Sequence, residues 1–183
     1  VRTRKCALKT CRQPFQPRNM THKVCSPECG LELARIERER ADKADTRVRL
    51  AKLKTRSDWL KSAQIAFNSW VRMRDQIAGH CCISSGKPLD WSGNATDCGH
   101  YRSTGSAPHL RFHQDNAHAQ SKHDNRYLAG NAVEYRIGLI KRIGLEAVEA
   151  LEADNTPRKY SIQDLQEIEK HYKSKLKELK GKK

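Results

Sequence analysis

The chain has 183 residues, of which 37% are hydrophobic and 31% are charged, and its mean hydropathy is −0.86. No apolar run approaches the roughly 20 residues that cross a bilayer, and no secretory signal pattern opens the chain. We therefore expect a cytoplasmic protein with no membrane partner. The 36 Lys and Arg residues outnumber 21 Asp and Glu, giving a net charge of +15. This excess favours a polyanion, because Lys and Arg release counterions condensed on phosphates. Ribosome-like packing proteins and exported basic proteins share it.

The first predicted element is a cysteine-rich segment, residues 1–30. Two short pairs, Cys6-x4-Cys11 and Cys25-x3-Cys29, each place two thiolates on one side of a tight turn, and two such turns complete the tetrahedron that Zn²⁺ prefers. The chain has seven cysteines, and this odd count favours metal ligation over disulfides. We predict a structural zinc site whose binding energy supplies most of the segment's folding energy. The simpler interpretation is four unrelated reduced cysteines.

The next segment, residues 31–78, is predicted to be helical in two parts. Ser26-Pro27-Glu28 resembles a helix start, and residues 31–56 are charged nearly all the way round. They predict a solvated connecting helix or a linker that orders on binding. Ser57 is the predicted N-cap of a packing helix that runs to about Ile77. The candidate DNA contacts of this segment are Lys52, Lys54 and Arg56.

Residues 79–183 begin with a region rich in Gly, His, Asn, Ser and Pro, typical of loops that carry recognition or chemistry. Strand-like pieces are predicted around 95–101 and 109–113. Beyond Gly130 the apolar periodicity predicts helices with a break near Gly144, and a final helix begins at Ser161 with Asp164 as its capping partner. The last helix can serve as a packing face or a dimer seam.

The stretch Asp97-Cys-Gly-His100 carries the richest chemical pattern. A strand with an Asp and a His, facing a short helix that supplies Asn125, can hold one divalent cation between a carboxylate and an amide oxygen. The imidazole is then available to take a proton from water that attacks phosphorus. Nearby arginines can clamp the flanking phosphates: Arg102, Arg111 and Arg126. A purely structural zinc role is the rival for His100, His113, His118 and His123.

Several of these segments resemble the NinG (Rap) recombination proteins of lambdoid phages. The resemblance rests on motifs spread in order over nearly the whole chain: Cys25-Ser-Pro-Glu-Cys-Gly30, Arg56-Ser-x-Trp59, Asp97-Cys-Gly-His-Tyr-Arg-Ser103, Ala107-Pro-His-Leu-Arg-Phe112, Asn116-x-His118, Gly130-Asn131 and Arg142-Ile-Gly-x-Glu-Ala-Val148. That family is similar to HNH (ββα-metal) endonucleases, and its members are understood to cut Holliday junctions and other branched intermediates of phage homologous recombination with Mg²⁺ or Mn²⁺.

The resemblance implies a role for each matching residue. His100 is the expected general base, and Asp97 and Asn125 are the expected metal neighbours. Asn116 is the expected middle Asn, which orients the His ring and braces the loop. The implied location is the cytoplasm of the host bacterial cell.

The chain departs from the family pattern at a second, structural zinc site. Family members usually carry two Cys-x-x-Cys pairs, but here the pairs are Cys82-Ile-Ser-Ser85 and Ser121-Lys-His-Asp124, and Tyr127 replaces a downstream His. We expect packing and hydrogen bonds to hold the core instead. The alternative is a site rebuilt from Cys98, His123 or Asp124.

Together these features predict an α+β protein: a zinc knuckle (1–30), a basic helical linker and packing helix (31–78), and an HNH-like ββα-metal core with C-terminal helices (79–183). The predicted function is a Mg²⁺-dependent endodeoxyribonuclease that cleaves branched DNA as a homodimer, because a symmetric junction needs two nicks. One alternative is a non-catalytic nucleic-acid-binding recombination accessory. Another is a less selective nicking enzyme of restriction type.

Overall fold

The computed structural model describes residues 3–181 and divides the chain into two compact units, residues 1–54 and 55–183. The division differs from the predicted ranges. The charged helix belongs with the cysteine-rich segment, and the packing helix belongs with the remainder. Within residues 3–181, no helix is both long enough and apolar enough to cross a bilayer.

The first unit contains a small antiparallel sheet and one long helix. Strands β1 (Arg4–Lys5) and β2 (Pro14–Phe15) pair next to the first cysteines, and helix α1 spans Pro27–Leu53. Ser26 caps α1 by accepting a hydrogen bond from the backbone N–H of Cys29, with proline in the first turn. The helix start predicted at Ser26-Pro27-Glu28 is therefore confirmed.

Helix α1 has no buried residue along its 27 residues. Its support comes from ion pairs between side chains three or four residues apart, which each add a few tenths of a kcal/mol. Arg35 contacts both Glu32 and Glu39 at 2.7 Å, and Arg49 contacts Asp45 at 2.8 Å. The segment predicted as a solvated helix or a linker is thus a continuous solvated helix.

Within residues 55–181, the second unit contains four α-helices: α2 (Arg56–Ile77), α3 (Ala132–Ile143), α4 (Leu145–Ala153) and α5 (Ile162–Gly181). The N-cap of α2 is Thr55 rather than the predicted Ser57, because Thr55 and Asp58 bond reciprocally in a capping box. The start of α5 is confirmed, since Ser161 and Asp164 exchange the same pair of bonds. The break at Gly144 is also confirmed.

A two-stranded antiparallel sheet lies between these helices. Strand β3 (Thr96–His100) pairs with β4 (Ala117–Ser121), with Gly99 opposite His118 and His100 opposite Ala117. A short π-helical turn, His123–Tyr127, follows directly. The strand predicted at 109–113 is wrong, because the chain there enters a 3₁₀ turn at Pro108–Leu110, where proline favours a turn and cannot donate to a ladder.

Two hydrophobic cores flank this hairpin. Helices α2 and α5 contribute most of the first core, in which Phe67, Val71 and Leu165 are fully buried. Helices α3 and α4 contribute most of the second, with Tyr135 and Leu139 at its centre. The side chains of β3 and β4 alternate between the two sides, so the hairpin is held on both faces.

Candidate functional site

The four predicted zinc ligands converge in the first unit. Cys6 follows β1, Cys11 lies in the next turn, and Cys25 and Cys29 flank the N-terminus of α1. All four Sγ atoms lie within 4.8 Å of one another, with Cys11–Cys25 at 3.5 Å and Cys25–Cys29 at 3.6 Å. A tetrahedral zinc with bonds of about 2.3 Å requires Sγ–Sγ separations of about 3.8 Å. The donors and their spacing therefore fit a zinc ion.

The thiols of this cluster also influence one another electrostatically. Burial raises the pKa of Cys6, but hydrogen bonds from the backbone N–H groups of Cys25 and Leu8 bring it down to about 7. The Cys11 thiol, burial and the remaining sulfurs raise the pKa of Cys25 to about 12. Four thiolates this close need a cation to offset their repulsion, which a dication supplies.

His100 lies at the end of β3 with its ring half-buried against Phe67, at a centroid distance of 6.0 Å. Its Nε2 is 3.0 Å from the backbone carbonyl oxygen of Arg111. A carbonyl only accepts, so Nε2 carries the proton and Nδ1 has the lone pair in the neutral ring. Burial lowers the pKa of His100. The imidazole is thus neutral at pH 7, and the Arg111 carbonyl favours the tautomer with its proton on Nε2.

Asn116 is fully buried at the other end of the loop that joins the two strands. Its Nδ2 donates to the carbonyl oxygens of Arg102 and Leu110, at 3.0 and 3.1 Å, and its Oδ1 accepts from the N–H of Arg102 at 2.8 Å. These bonds fix the part of the loop that precedes Arg111, whose carbonyl orients His100.

Asp97 and Asn125 form a separate cluster with Arg126. Asn125 Nδ2 lies 3.1 Å and Arg126 Nε lies 2.8 Å from Asp97 Oδ2. Burial raises the pKa of Asp97, but the bonds from Arg126 and Asn125 outweigh it and hold that pKa below its ordinary value. Asp97 and His100 are three residues apart on a strand, so they face opposite sides and lie about 10 Å apart along it. The structure pairs Asp97 with Asn125 but does not gather them around the His100 ring.

Two of the three predicted phosphate-clamping arginines are engaged inside the protein. Arg102 donates to carbonyl oxygens at the end of α4, including Leu151 at 2.9 Å, and to the side chain of Asn155. Arg111 donates to Gln64 Oε1 and the carbonyl of Thr104, both at 3.0 Å. Both guanidinium groups are part-buried and hold the fold in this structure, and their contact with phosphates stays a prediction.

The basic residues predicted to contact DNA from the linker lie where α1 ends and α2 begins. Lys52 is exposed in the last turn of α1 and Lys54 is its C-cap, while Arg56 begins α2 and donates to the Tyr160 carbonyl at 2.8 Å. No acid follows Asp45 before Asp58, whereas this stretch contains five basic residues: Arg47, Arg49, Lys52, Lys54 and Arg56. Their contact with DNA stays a prediction.

Sequence reasoning missed a buried ionic cluster beneath β4. Asp75 on α2 is 1% exposed, and its oxygens lie 2.7 Å from Arg74 Nε and 2.7 Å from the N–H of Ala119. Burial raises the pKa of Asp75, but His118 and Arg74 hold it well below its usual range. The spacing of the helix residues could have predicted the burial of Asp75, because Asp75 continues the buried stripe of Phe67 and Val71 at four-residue intervals.

The four positions of the expected second zinc site, 82, 85, 121 and 124, lie close together, but their side chains do not form a set of metal ligands. Asp124 is buried, and its Oδ2 accepts from Ser121 Oγ at 2.7 Å and from Cys82 Sγ at 3.2 Å. Among residues 3–181, only the four N-terminal cysteines form a group of three or more residues that fits a metal. The histidine zinc site and the rebuilt site with Cys98 or His123 are therefore not formed.

Comparison with known proteins identifies the family. A family model described as Bacteriophage Lambda NinG protein matches residues 1–182. The chain belongs to the NinG family. Similar NinG proteins come from Escherichia phage lambda, Salmonella phage P22 and Escherichia phage 933W, and each is 37% identical over 97% of this chain and 94% of the relative. No solved structure matches the chain. The NinG resemblance predicted from the motifs is thus confirmed at the level of the family.

Proposed function

We propose that this NinG-family protein is a Mg²⁺- or Mn²⁺-dependent endonuclease of the HNH type, which nicks branched recombination intermediates such as Holliday junctions. The observation that carries the proposal is the state of His100. It is a neutral imidazole with its Nε2 proton held by the Arg111 carbonyl, at the end of a β-hairpin whose loop is fixed by buried Asn116.

In this proposal His100 is the general base. Its lowered pKa keeps the ring neutral at pH 7, and the tautomer leaves Nδ1 to accept the proton of the water that attacks phosphorus. Asn116 acts as a positioning residue, because it fixes the loop segment that presents the Arg111 carbonyl.

Asp97 and Asn125 would hold the divalent cation. One carboxylate and one amide suit Mg²⁺, which binds through a few oxygen donors and keeps several waters. When bound, such an ion would neutralise charge that develops on the phosphate. Because Asp97 and His100 face opposite sides of β3, about 10 Å apart along it, this end of the hairpin would have to rearrange for the ion and the base to act on one phosphate. Arg126 now pairs with the same Asp97 oxygen, so cation binding and this ion pair compete.

Charge supports DNA as the partner. The net charge is +15, and residues 1–30 carry seven basic residues against one acid, Glu28. The zinc knuckle and the basic 47–56 stretch would grip duplex arms through phosphate contacts. A homodimer would present two sites to a symmetric junction.

A second candidate is a DNA-binding recombination accessory without catalysis. The Asp97–Arg126 pair favours it, because a guanidinium lies where the cation would bind. The hydrogen bonds of Arg102 and Arg111 within the fold also support it, because they occupy guanidinium groups that a phosphate clamp would use.

One experiment separates these functions. The protein and a His100→Ala variant are incubated with a four-way junction or plain duplex in Mg²⁺, and nicks and binding are measured together. Symmetric junction nicks that the substitution abolishes support the proposal. Binding by both proteins without nicks supports the accessory, and equal cutting of plain duplex indicates a nicking enzyme of restriction type.

A further inference from the structure

Four side chains from two distant parts of the second unit meet beside the Asp97 cluster. They are Cys82 and Ser85, which lie in a tight turn, and Ser121 and Asp124, which lie at the end of β4 and in the π-helical turn. The turn is closed by the bond from the N–H of Gly86 to the Cys82 carbonyl, at 3.0 Å. Both pairs have two intervening residues.

The buried Asp124 carboxylate is the centre of this group. Its Oδ2 accepts from Ser121 Oγ at 2.7 Å and from Cys82 Sγ at 3.2 Å, and its Oδ1 accepts from Asn131 Nδ2 at 3.5 Å. Burial raises the pKa of Asp124, but the side chains of Ser121, Cys82 and Ser85 hold it below its ordinary value. The backbone N–H of Ser121 donates to Cys82 Sγ at 3.3 Å, and that of Asp124 donates to Ser121 Oγ at 3.1 Å. The carboxylate is 5% exposed, so hydrogen bonds replace the water that burial removes.

The same group anchors the segment that carries Asn125 and Arg126. The Asp124 carbonyl accepts from the N–H of Gly130 at 3.1 Å, so Asp124 contacts both the start and the end of the turn. The next two residues in sequence, Asn125 and Arg126, are the ones that contact Asp97. The anchored residue therefore directly precedes the two residues that hold Asp97.

We propose that Cys82, Ser85, Ser121 and Asp124 form a metal-free clasp that positions Asn125 and Arg126 against Asp97. Two residue pairs with two intervening residues are also the arrangement that builds zinc sites from four cysteines. In the clasp, one carboxylate and its hydrogen-bond donors make the cross-link that a metal makes in such sites. Asp124 is its positioning residue.

The first test removes the carboxylate and follows amide hydrogen exchange along the full chain. Asp124→Ala leaves three donors without their acceptor, so we expect exchange at residues 122–131 to rise about ten-fold or more. Asp115→Ala, at an exposed aspartate in the preceding loop, is the matched control and leaves exchange there unchanged. Unchanged exchange at 122–131 in Asp124→Ala overturns the proposal.

A second variant tests whether the four clasp positions converge, even if Asp124→Ala fails to fold. The triple variant Ser85→Cys, Ser121→Cys, Asp124→Cys adds three thiols to Cys82. We expect metal analysis to find two zinc ions per chain, against one in the unsubstituted protein, and exchange at 122–131 within about two-fold of the unsubstituted protein. Adding Cys82→Ser to the triple variant is expected to lose the second zinc. A triple variant that takes up one zinc overturns the convergence of the four positions.

The position of Asn125 can also be tested through nicking, and this test alone rests on the proposed function. If the unsubstituted protein nicks junctions, Asp124→Ala is expected to need about ten-fold more Mg²⁺ for half-maximal nicking, and the zinc-loaded triple variant is expected to restore the original requirement. An unchanged Mg²⁺ requirement in Asp124→Ala overturns the positioning role. If the unsubstituted protein does not nick, the proposed function fails, while exchange and zinc content still test the clasp.

Discussion

Asn116 satisfies three backbone groups on both sides of the loop that ends at β4, and it does so without any exposure to solvent. Buried polar groups of this kind stabilise only when every partner is present. The loop therefore depends on one side chain, and His100 depends on the loop through the carbonyl of Arg111.

Asn116→Ala is expected to lower the free energy of unfolding by about 2–4 kcal/mol, because it leaves two carbonyls and one N–H of the buried loop without partners. Urea unfolding of the second unit measures this change. Asn94→Ala, at an exposed position, is the control and is expected to stay within about 0.5 kcal/mol. Equal stability of the two variants would show that Asn116 does not brace the loop.

The pH dependence of nicking follows from the His100 ring. Burial lowers its pKa below the ordinary value of 6.5, so the neutral form that accepts a proton persists to lower pH than in a free histidine. We expect the nicking rate to be level between pH 7 and 8 and to fall on acidification with a midpoint below 6.5. DNA binding measured at each pH separates loss of base from loss of affinity, and a midpoint above 6.5 contradicts this assignment.

At the residue level, the sequence predicted which side chains could act as metal ligands better than it predicted how side chains are arranged in the fold. The two cysteine pairs were enough to predict that four thiols converge, because short spacing on tight turns restricts where thiols can lie. The contacts of Arg102 and Arg111 within the fold were not predicted, since acceptors such as Leu151 and Gln64 lie about 50 residues away and local pattern does not reveal them.

At the level of elements, α3 packs against the turn that carries Cys82 with no space to spare. A Cβ on Gly138 would overlap the backbone carbonyl of Ile83, so this helix position requires glycine for close approach. The intrinsic preference of helices for alanine, about 1 kcal/mol, acts in the opposite direction. Because the overlap is with backbone, the steric term dominates.

Gly138→Ala is therefore expected to destabilise the second unit by about 1–3 kcal/mol despite its better helix propensity. Thermal or urea unfolding measures whether the substitution lowers or raises the free energy of unfolding. Gly181→Ala makes the same change at the end of α5, where nothing lies within 4 Å, and is expected to have little effect. Stabilisation by Gly138→Ala would contradict the packing of α3 on the 82–86 turn.

The helices were predictable because their apolar residues recur at helical spacing and their caps are local. The start of α5 at Ser161 and Asp164 is the clearest case. Strand β4 was not predicted, since Ala-His-Ala-Gln-Ser has little strand propensity. It forms because pairing with β3 and burial between two cores override local preference.

At the level of the whole molecule, the two units are stabilised by different means. In the described part of the first unit, residues 3–54, only Cys6 and Leu8 are buried apolar side chains. The second unit has two hydrophobic cores within its described residues, 55–181. Metal should therefore control the stability of the first unit and not that of the second.

Removal of zinc with a strong chelator is expected to unfold the knuckle around β1 and β2 while the second unit keeps its thermal transition. Hydrogen exchange along the chain measures both units at once. Cys25→Ser is expected to reproduce the effect, and Cys81→Ser, at an exposed cysteine, is the matched control. Persistence of protection at residues 5–25 after chelation would contradict a zinc-dependent fold.

The most direct test of the proposed nuclease activity compares the nicking rates of two proteins on one substrate. The unsubstituted protein and His100→Ala are compared on a four-way junction in Mg²⁺, at protein concentrations where both bind it fully. We predict that the substitution lowers the nicking rate by about 100-fold or more, the usual contribution of a general base. Rates within two-fold of each other would contradict the role of His100.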